Sequence, residues 1–513
     1  MTKQNFLKGT IILIIAGMIT RFLGFVNRIV VARLMGEEGI GLYNMALPTL
    51  FLMYTISQIG LPIAISKRVA EADARGDFVK IKQILIISLS ITISLSVVST
   101  VLMYLIIPYV ANHLLTDPRV YYPMMAILPI IPISAVAAVI RGYFQGRQNM
   151  KPQSIAQVIE QVVRIGFILV LVTWLAPRGI EFAAAGAMIA VIIGEAVSLL
   201  FMLKMFRLKK RIKLRKNILK YVKTGSDTLK QLFSIAIPST ASRLVNSIAN
   251  FLEPILVAQS LALAGFQATV ATKQYGALTG YALPLLFLPT FITHSLAVAL
   301  VPNISEAEAK QHKKLIHYRI HQAIRLSFAS GAIATVLLTL FADAILQYMY
   351  GTNNASLFLK IMAPCFLFMY IQFPLNASLQ ALDLAKQAMW NNIGSTIIKF
   401  IILIVLTTNP QIGIYGAAIA MSVGVIIGTV FHLITLFRAI KFYIPMKMIL
   451  KMIALIGLTF WMGQLLIQLF DFQIEHTLRF LFIVILLFIG YLIFLFCLQF
   501  INKDELQQLR KNK

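Results

Sequence analysis

Apolar stretches of roughly 20 residues recur along this whole chain, the length an α-helix needs to cross the hydrocarbon of a bilayer. They are continuously apolar and do not alternate in and out, so they fit spanning helices and not the strands of a barrel. Composition agrees: 59% of the 513 residues are hydrophobic and 13% are charged, against about a quarter charged in a soluble protein. The fold class expected is an all-α integral membrane protein of about 14 transmembrane helices, the first three spans lying near residues 9–32, 40–66 and 83–110. Lys3 and Lys8 imitate the start of a signal peptide, but the run behind them continues into Arg21 and reads as a retained first helix. Cys365 and Cys497 lie in apolar segments, with no disulfide framework or zinc spacing.

The net charge of +27 is distributed in alternate loops, which argues against a nucleic-acid partner. One set holds Lys67, Arg68, Arg75, Lys80 and Lys82, the stretch from Arg207 to Lys230, the stretch from Lys310 to Arg325, Arg438 with Lys441, and both termini. The intervening loops hold Arg33, Arg119, Arg178, Lys273 and Arg479. With about 35 Lys and Arg on one side and about 5 on the other, the positive-inside rule places both termini in the cytoplasm, which requires an even number of spans. The external loops are short and carry no carboxylate pair, His cluster or glycine-rich phosphate loop. No catalytic residue, metal ligand or cofactor is therefore expected, and an enzyme acting on lipid-linked sugars is disfavoured.

Two stretches about 235 residues apart resemble each other. Gln145, Lys151 and Arg164 match Gln380, Lys386 and Lys399; one residue less of offset pairs Gly179-Ile180, Ala183-Ala184 and Gly194 with Gly413-Ile414, Ala417-Ala418 and Gly428. Upstream, Ala46-Leu47-Pro48 parallels Ala282-Leu283-Pro284, and Thr20-Arg21-Phe22 parallels Ser242-Arg243-Leu244. The expected organisation is an N-lobe at 1–205, a basic cytoplasmic linker at 206–230, a C-lobe at 231–440, and two further helices with a tail at 441–513. Each lobe has six helices, so the repeat is parallel, a known transporter plan in which substrate binds between the lobes and access alternates. Pro48 and Pro284 occupy matched positions and are hinge candidates.

Charge inside the spans marks the candidate site. Gly17, Arg21, Gly24 and Arg28 form one helical stripe in the first apolar run. A guanidinium deep in a bilayer is costly, faces a bundle interior or aqueous path, and its planar fork matches phosphate oxygens. Ser239, Arg243, Asn246, Asn250 and Glu253 make a similar stripe in the seventh span. Arg21, Arg28, Arg243, Asn246, Asn250 and Glu253 are the candidate substrate-binding residues. Gln153, Gln157, Glu160, Gln161 and Arg164 share a face of the fifth span, where Glu160 and Arg164 can pair at i, i+4. Asn391, Asn392, Ser395 and Lys399 hold the matching place, and Glu195 lies deep in the sixth span with no local partner. Glu160, Arg164, Glu195 and Lys399 are the candidates for lining a cavity or coupling transport to Na⁺ or a proton.

The opening Phe6-Leu7-Lys8-Gly9-Thr10, the run from Gly17 to Arg28, and Arg141-Gly142-Tyr143-Phe144-Gln145-Gly146-Arg147-Gln148-Asn149-Met150 together resemble the stage V sporulation protein B group. That group lies in the polysaccharide branch of the multidrug/oligosaccharidyl-lipid/polysaccharide exporter superfamily and is similar to the peptidoglycan lipid II flippases. The resemblance implies fourteen helices in a bacterial plasma membrane, and export of an undecaprenyl-diphosphate-linked saccharide, lipid II for the spore cortex. It carries a cavity role to Arg21; at the next charged position the better-known flippases have Arg-Asp where this chain has Asn27-Arg28. The expected partners are the lipid-linked substrate, membrane lipids and cell-wall synthesis proteins, with the chain itself a monomer. The competing readings are a cation-coupled multidrug exporter, which calls for acidic and aromatic cavity residues, and a non-transporting scaffold, whose buried charges would be structural.

Overall fold

The computed structural model describes residues 6–209, 226–470 and 476–500; side chains are described from Gly17 onward within these, except at 209, 238–239, 241–242 and 476. Most of the basic linker, the tail after residue 500, and the side chains of Ser239 and Ser242 lie outside the described residues. Among the described residues all regular structure is helical.

Helix α1 runs over Phe6–Gln58. A straight helix of 53 residues would measure about 80 Å, far more than the roughly 30 Å of a bilayer core. It is broken at Gly36, whose φ of 65° and ψ of −173° suit a residue without Cβ, and the two halves can thus serve as separate spans. A second left-handed glycine, Gly60, starts α2 (Leu61–Ala74). Then come α3 (Phe78–Tyr109), α4 (Tyr121–Ala126), α5 (Ile130–Gly146), α6 (Lys151–Leu175), α7 (Ile180–Lys209), α8 (Ser226–Leu263) and α9 (Ala268–Gly276). Asp77 opens α3 by accepting a hydrogen bond from Lys80 N at 2.8 Å.

After a π-helical turn at Ala277–Ala282 follow α10 (Leu283–Phe287), α11 (Thr290–Ala309), α12 (Lys313–Leu340), α13 (Ala342–Tyr350), α14 (Ser356–Ala381), α15 (Ala385–Thr407), α16 (Ile414–Ile440), α17 (Met446–Leu469) and α18 (His476–Cys497). Pro48 sits within a continuous stretch of α1, whereas Pro284 follows that π turn.

Among the described residues eleven helices are long and apolar enough to span a membrane, and two bent pairs, α4–α5 at 41° and Ala268–Phe287 with Thr290–Ala309 at 51°, raise this to thirteen. The first of the eleven, Gly17–Ala74, is 58 residues long and contains the Gly36 break, so the count agrees roughly with the fourteen expected.

Two compact units divide at Gly280. In the first, Leu61, Ile65, Ile81, Leu85, Phe144 and Phe206 form a core that also takes in Leu232 and Ala236 of α8. Compactness thus follows packing, not the sequence repeat: α8 and α9 are built onto α1 and α2. In the second unit α17 and α18 pack on α12 through Val336, Phe341, Ile483 and Leu487, and the Tyr491 hydroxyl donates to the Ala329 carbonyl.

The repeat is visible as a helix contact made once in each unit. A Cβ on Gly194 of α7 would lie 2.9 Å from the Glu160 carbonyl oxygen of α6; on Gly428 of α16 it would lie 3.4 Å from Ser395 Oγ of α15.

Candidate functional site

Arg21 and Arg28 are both exposed on α1, and a Cβ on Gly17 or Gly24 would meet nothing within 4 Å. Among the described residues, then, nothing packs on this stripe at its two glycines. Asn27, beside Arg28, is buried.

Helix α8 is fixed to α1 by Ser247, whose hydroxyl is 2.7 Å from that of Thr55. One turn away, Arg243 is exposed and lines a cleft of about 100 Å³ with Tyr54, Thr55, Gln58, Gly60 and Thr240. Asn246 and Asn250 are exposed and Glu253 is half-buried. Arg243 and Asn250 stand one turn to either side of Ser247, so the polar stripe borders the contact with α1 and its side chains remain exposed.

Glu160 accepts from Arg164 within α6, and Glu195 of α7 pairs with Arg141 of α5 at 3.2 Å. The first pair stays within α6 and the second ties α5 to α7, while the arginines of α1 and α8 remain exposed. The partner of Glu195 was not readable from helical spacing, since Arg141 is 54 residues away; the only signal is its place at the head of the Arg-Gly-Tyr-Phe-Gln-Gly run. Lys399 belongs to the second unit, half-buried with Nζ 4.9 Å from the Phe400 ring centroid.

At the Gly36 end of unit 1, sequence reasoning missed a crossing of two backbones. The second half of α1 meets α9 so closely that a Cβ on Gly276 would stand 1.8 Å from the Glu37 carbonyl oxygen and 2.8 Å from Gly41 N. Asn44 donates to Thr279 Oγ1 at 3.0 Å across a separation of 235 residues, the repeat offset. Gly41 and Gly276 are separated by the same amount, so repeat-equivalent positions touch each other, as they do beside a twofold axis. Around them Arg119 donates to Asp117 at 2.9 Å and to Glu38 at 2.6 Å, and Thr272 donates to Asp117 at 2.7 Å.

Burial alone would push the Asp117 carboxyl up, but the hydrogen bonds from Arg119 and Thr272 outweigh it and hold it below its usual range. A carboxylate lowered in the folded state stabilises fully above the unfolded value of about 3.9, and loses that contribution as pH falls through its folded value. The wild type should exceed Asp117→Asn in stability by about 1–3 kcal/mol at pH 7. The gap should close as pH drops below about 4, read from denaturation midpoints of the purified proteins. A gap constant with pH would show that the Asp117 charge is not what holds this crossing.

A family described as polysaccharide biosynthesis protein matches residues 6–308, more than half of the chain. The chain belongs to that family. A second family, MatE, matches residues 273–405. This polysaccharide biosynthesis family member is 47% identical over 509 residues to Stage V sporulation protein B of Bacillus subtilis (strain 168), covering 99% of this chain and 98% of that one. Lipid II flippase MurJ of the same organism is 25% identical over 458 residues, covering 85% and 83%. Among solved structures, a lipid II flippase MurJ in an inward closed conformation aligns with TM-score 0.69 at 17% identity over 94% of this chain and 98% of that one. An inward-facing multidrug resistance MATE family transporter aligns with TM-score 0.66 at 16% identity over 82% and 94%. The fold is that of a multi-pass membrane transporter, and these relatives are not enzymes.

Proposed function

We propose that this protein is a flippase that moves an undecaprenyl-diphosphate-linked saccharide, the peptidoglycan precursor lipid II for the spore cortex, from the inner to the outer leaflet by alternating access. The observation that carries the reading is the exposed face of arginines and amides within spanning helices, Arg21 and Arg28 on α1 with Arg243, Asn246 and Asn250 on α8. Guanidinium forks bind diphosphate oxygens in two-point contacts, while the polyprenyl tail can stay in lipid. Two acidic groups of unit 1 that would suit a cationic drug, Glu160 and Glu195, are instead paired with arginines, which leaves Glu253 of the α8 stripe as the acid beside the exposed face. That disfavours drug export, and the relatives of this family member named above support a lipid-linked cargo.

In this reading both termini are cytoplasmic, the chain works as a monomer in the bacterial plasma membrane, and the crossing at Gly41 and Gly276 closes the outer end of the path. An inside-negative potential favours outward movement of an anion by about 2.3 kcal/mol per charge per 100 mV. A coupling Na⁺ or proton could add to that drive without being demanded by it. The test is outer-leaflet accessibility of lipid II in cells where this protein is the sole flippase. Accessible lipid II should vanish on depletion; unchanged accessibility would remove lipid II from the reading.

A further inference from the structure

Helix α16 carries one histidine, His432, two turns before its end at Ile440 and fully buried within unit 2. It has no part in the arginine face of unit 1. Asn391 of α15 places its amide nitrogen 3.1 Å from His432 Nδ1, 2.8 Å from Thr435 Oγ1 and 3.3 Å from the Phe431 carbonyl oxygen. A carbonyl oxygen can only accept, so the atom facing it is the amide nitrogen, and Nδ1 accepts from the same group. The imidazole is therefore neutral, with its hydrogen on Nε2. Among the described residues that Nε2 is buried and meets no hydrogen-bond partner. A histidine that only fastened two helices together would have both nitrogens satisfied.

The repeat shows that the helix contact does not need this network. At the 235-residue offset Asn391 corresponds to Ala156, and at one less His432 corresponds to Ser198. Both are buried, on α6 and α7, so the copy in unit 1 packs on small side chains with nothing titratable at these positions. Water has a way to the network in unit 2. A groove of about 380 Å³ on α11, α14 and α15 is lined by His294, Gln372, Asn376, Gln380 and Asn392, and its size and its amides suit water. Asn392 adjoins Asn391, which is itself half-buried. A Cβ on Gly428, one turn before His432, would come 2.4 Å from Gln372 Nε2.

We infer that His432 and Asn391 form the site of a coupling proton in the transport cycle, an assignment that rests on the flippase reading. When the joint between α15 and α16 is wetted, Nδ1 takes a proton from water and Nε2 keeps its hydrogen. The Asn391 amide then turns over, so that its Oδ1 accepts from Nδ1–H and the Thr435 hydroxyl swings to donate to the same oxygen. Closure of the joint returns the proton to water, because a buried charge without a partner is costly. The charged groups on the helices packed there are all cationic: Lys360 on α14, Lys386 and Lys399 on α15, and Arg438 on α16. The other titratable groups of these helices are Cys365, Tyr370 and Tyr415. None is a carboxylate that could hold the imidazolium once water has left.

The test is lipid II movement in proteoliposomes of the full chain, with one pH on both sides of the bilayer and a pH-indicating dye inside. Wild-type movement should slow about tenfold or more from about pH 6 to about pH 8, since an imidazole in water titrates at about 6.5. It should also change the internal pH, and only when lipid II moves. His432→Gln should run at the slow rate at every pH and leave the dye unchanged, its retained affinity for undecaprenyl diphosphate reporting a folded protein. Where that affinity is lost, His432→Ser replaces it, since unit 1 packs a serine in the equivalent place. A wild type insensitive to pH or silent to the dye, or variants that keep the wild-type profile, would overturn the proton site and leave the flippase reading standing. Loss of carrier affinity in both variants would make His432 structural and overturn it too. A wild type that moves no lipid II at any pH would overturn both the proton site and the flippase reading.

Discussion

Replacing Arg28 and Arg243 together by glutamine is expected to weaken binding of undecaprenyl diphosphate by on the order of a hundredfold or more, with the protein still folded. Two charge-assisted hydrogen-bonding groups, at about 1.5–3 kcal/mol each, account for that size. The reason to expect so little structural damage is that both side chains are exposed. Lysine at the same positions should recover part of the loss, because it restores the charge without the two-pronged geometry. Arg141→Gln makes the opposite control. It would strand the buried Glu195 carboxylate, at a cost of about 3–5 kcal/mol, and should lower membrane abundance before it touches carrier affinity. A scaffold without transport activity predicts the reverse ordering, with Arg28 and Arg243 as dispensable as any other exposed charge. Titration of the carrier into purified variants distinguishes the two.

Gly276→Ala should act on the conformational cycle and not on binding. Its Cβ would meet backbone atoms of Glu37 and Gly41, which have no flexible end to swing aside, so the two helices must separate. Overpacking of this kind costs about 1–3 kcal/mol, enough to shift a two-state equilibrium by about ten- to a hundredfold away from the closed crossing. Transport should fall at least tenfold at normal abundance, and a cysteine in place of buried Ile40 should become reactive to an impermeant thiol reagent added from outside. Wild-type labelling and transport in Gly276→Ala would mean that this crossing does not open during the cycle.

The spans and the class of fold were legible in the sequence because apolar length is a direct measure of membrane crossing. Their joints were less so. The polar run around Arg33, Glu37 and Glu38 suggests a loop between the first two spans, yet α1 continues through it and is interrupted only at Gly36. Backbone hydrogen bonding within the helix prevails there over the hydrophilic side chains.

The arginine stripes were legible because period 3.6 places their members on one face. Links between distant segments, such as Asp117 with Thr272 or Arg141 with Glu195, leave no periodic trace. Gln372, Asn376 and Gln380 do recur at helical spacing, but only their convergence with His294 and Asn392 around one groove sets them apart from amides on a solvated helix face.

The most direct test is transbilayer movement of fluorescent lipid II in proteoliposomes containing the purified protein, comparing wild type with Arg21→Ala at equal protein content. Movement by the wild type is expected, accelerated by an inside-negative potential and lost in Arg21→Ala. Equal movement by the two proteins would contradict an anion-binding path along α1, and no movement by either would contradict the flippase itself.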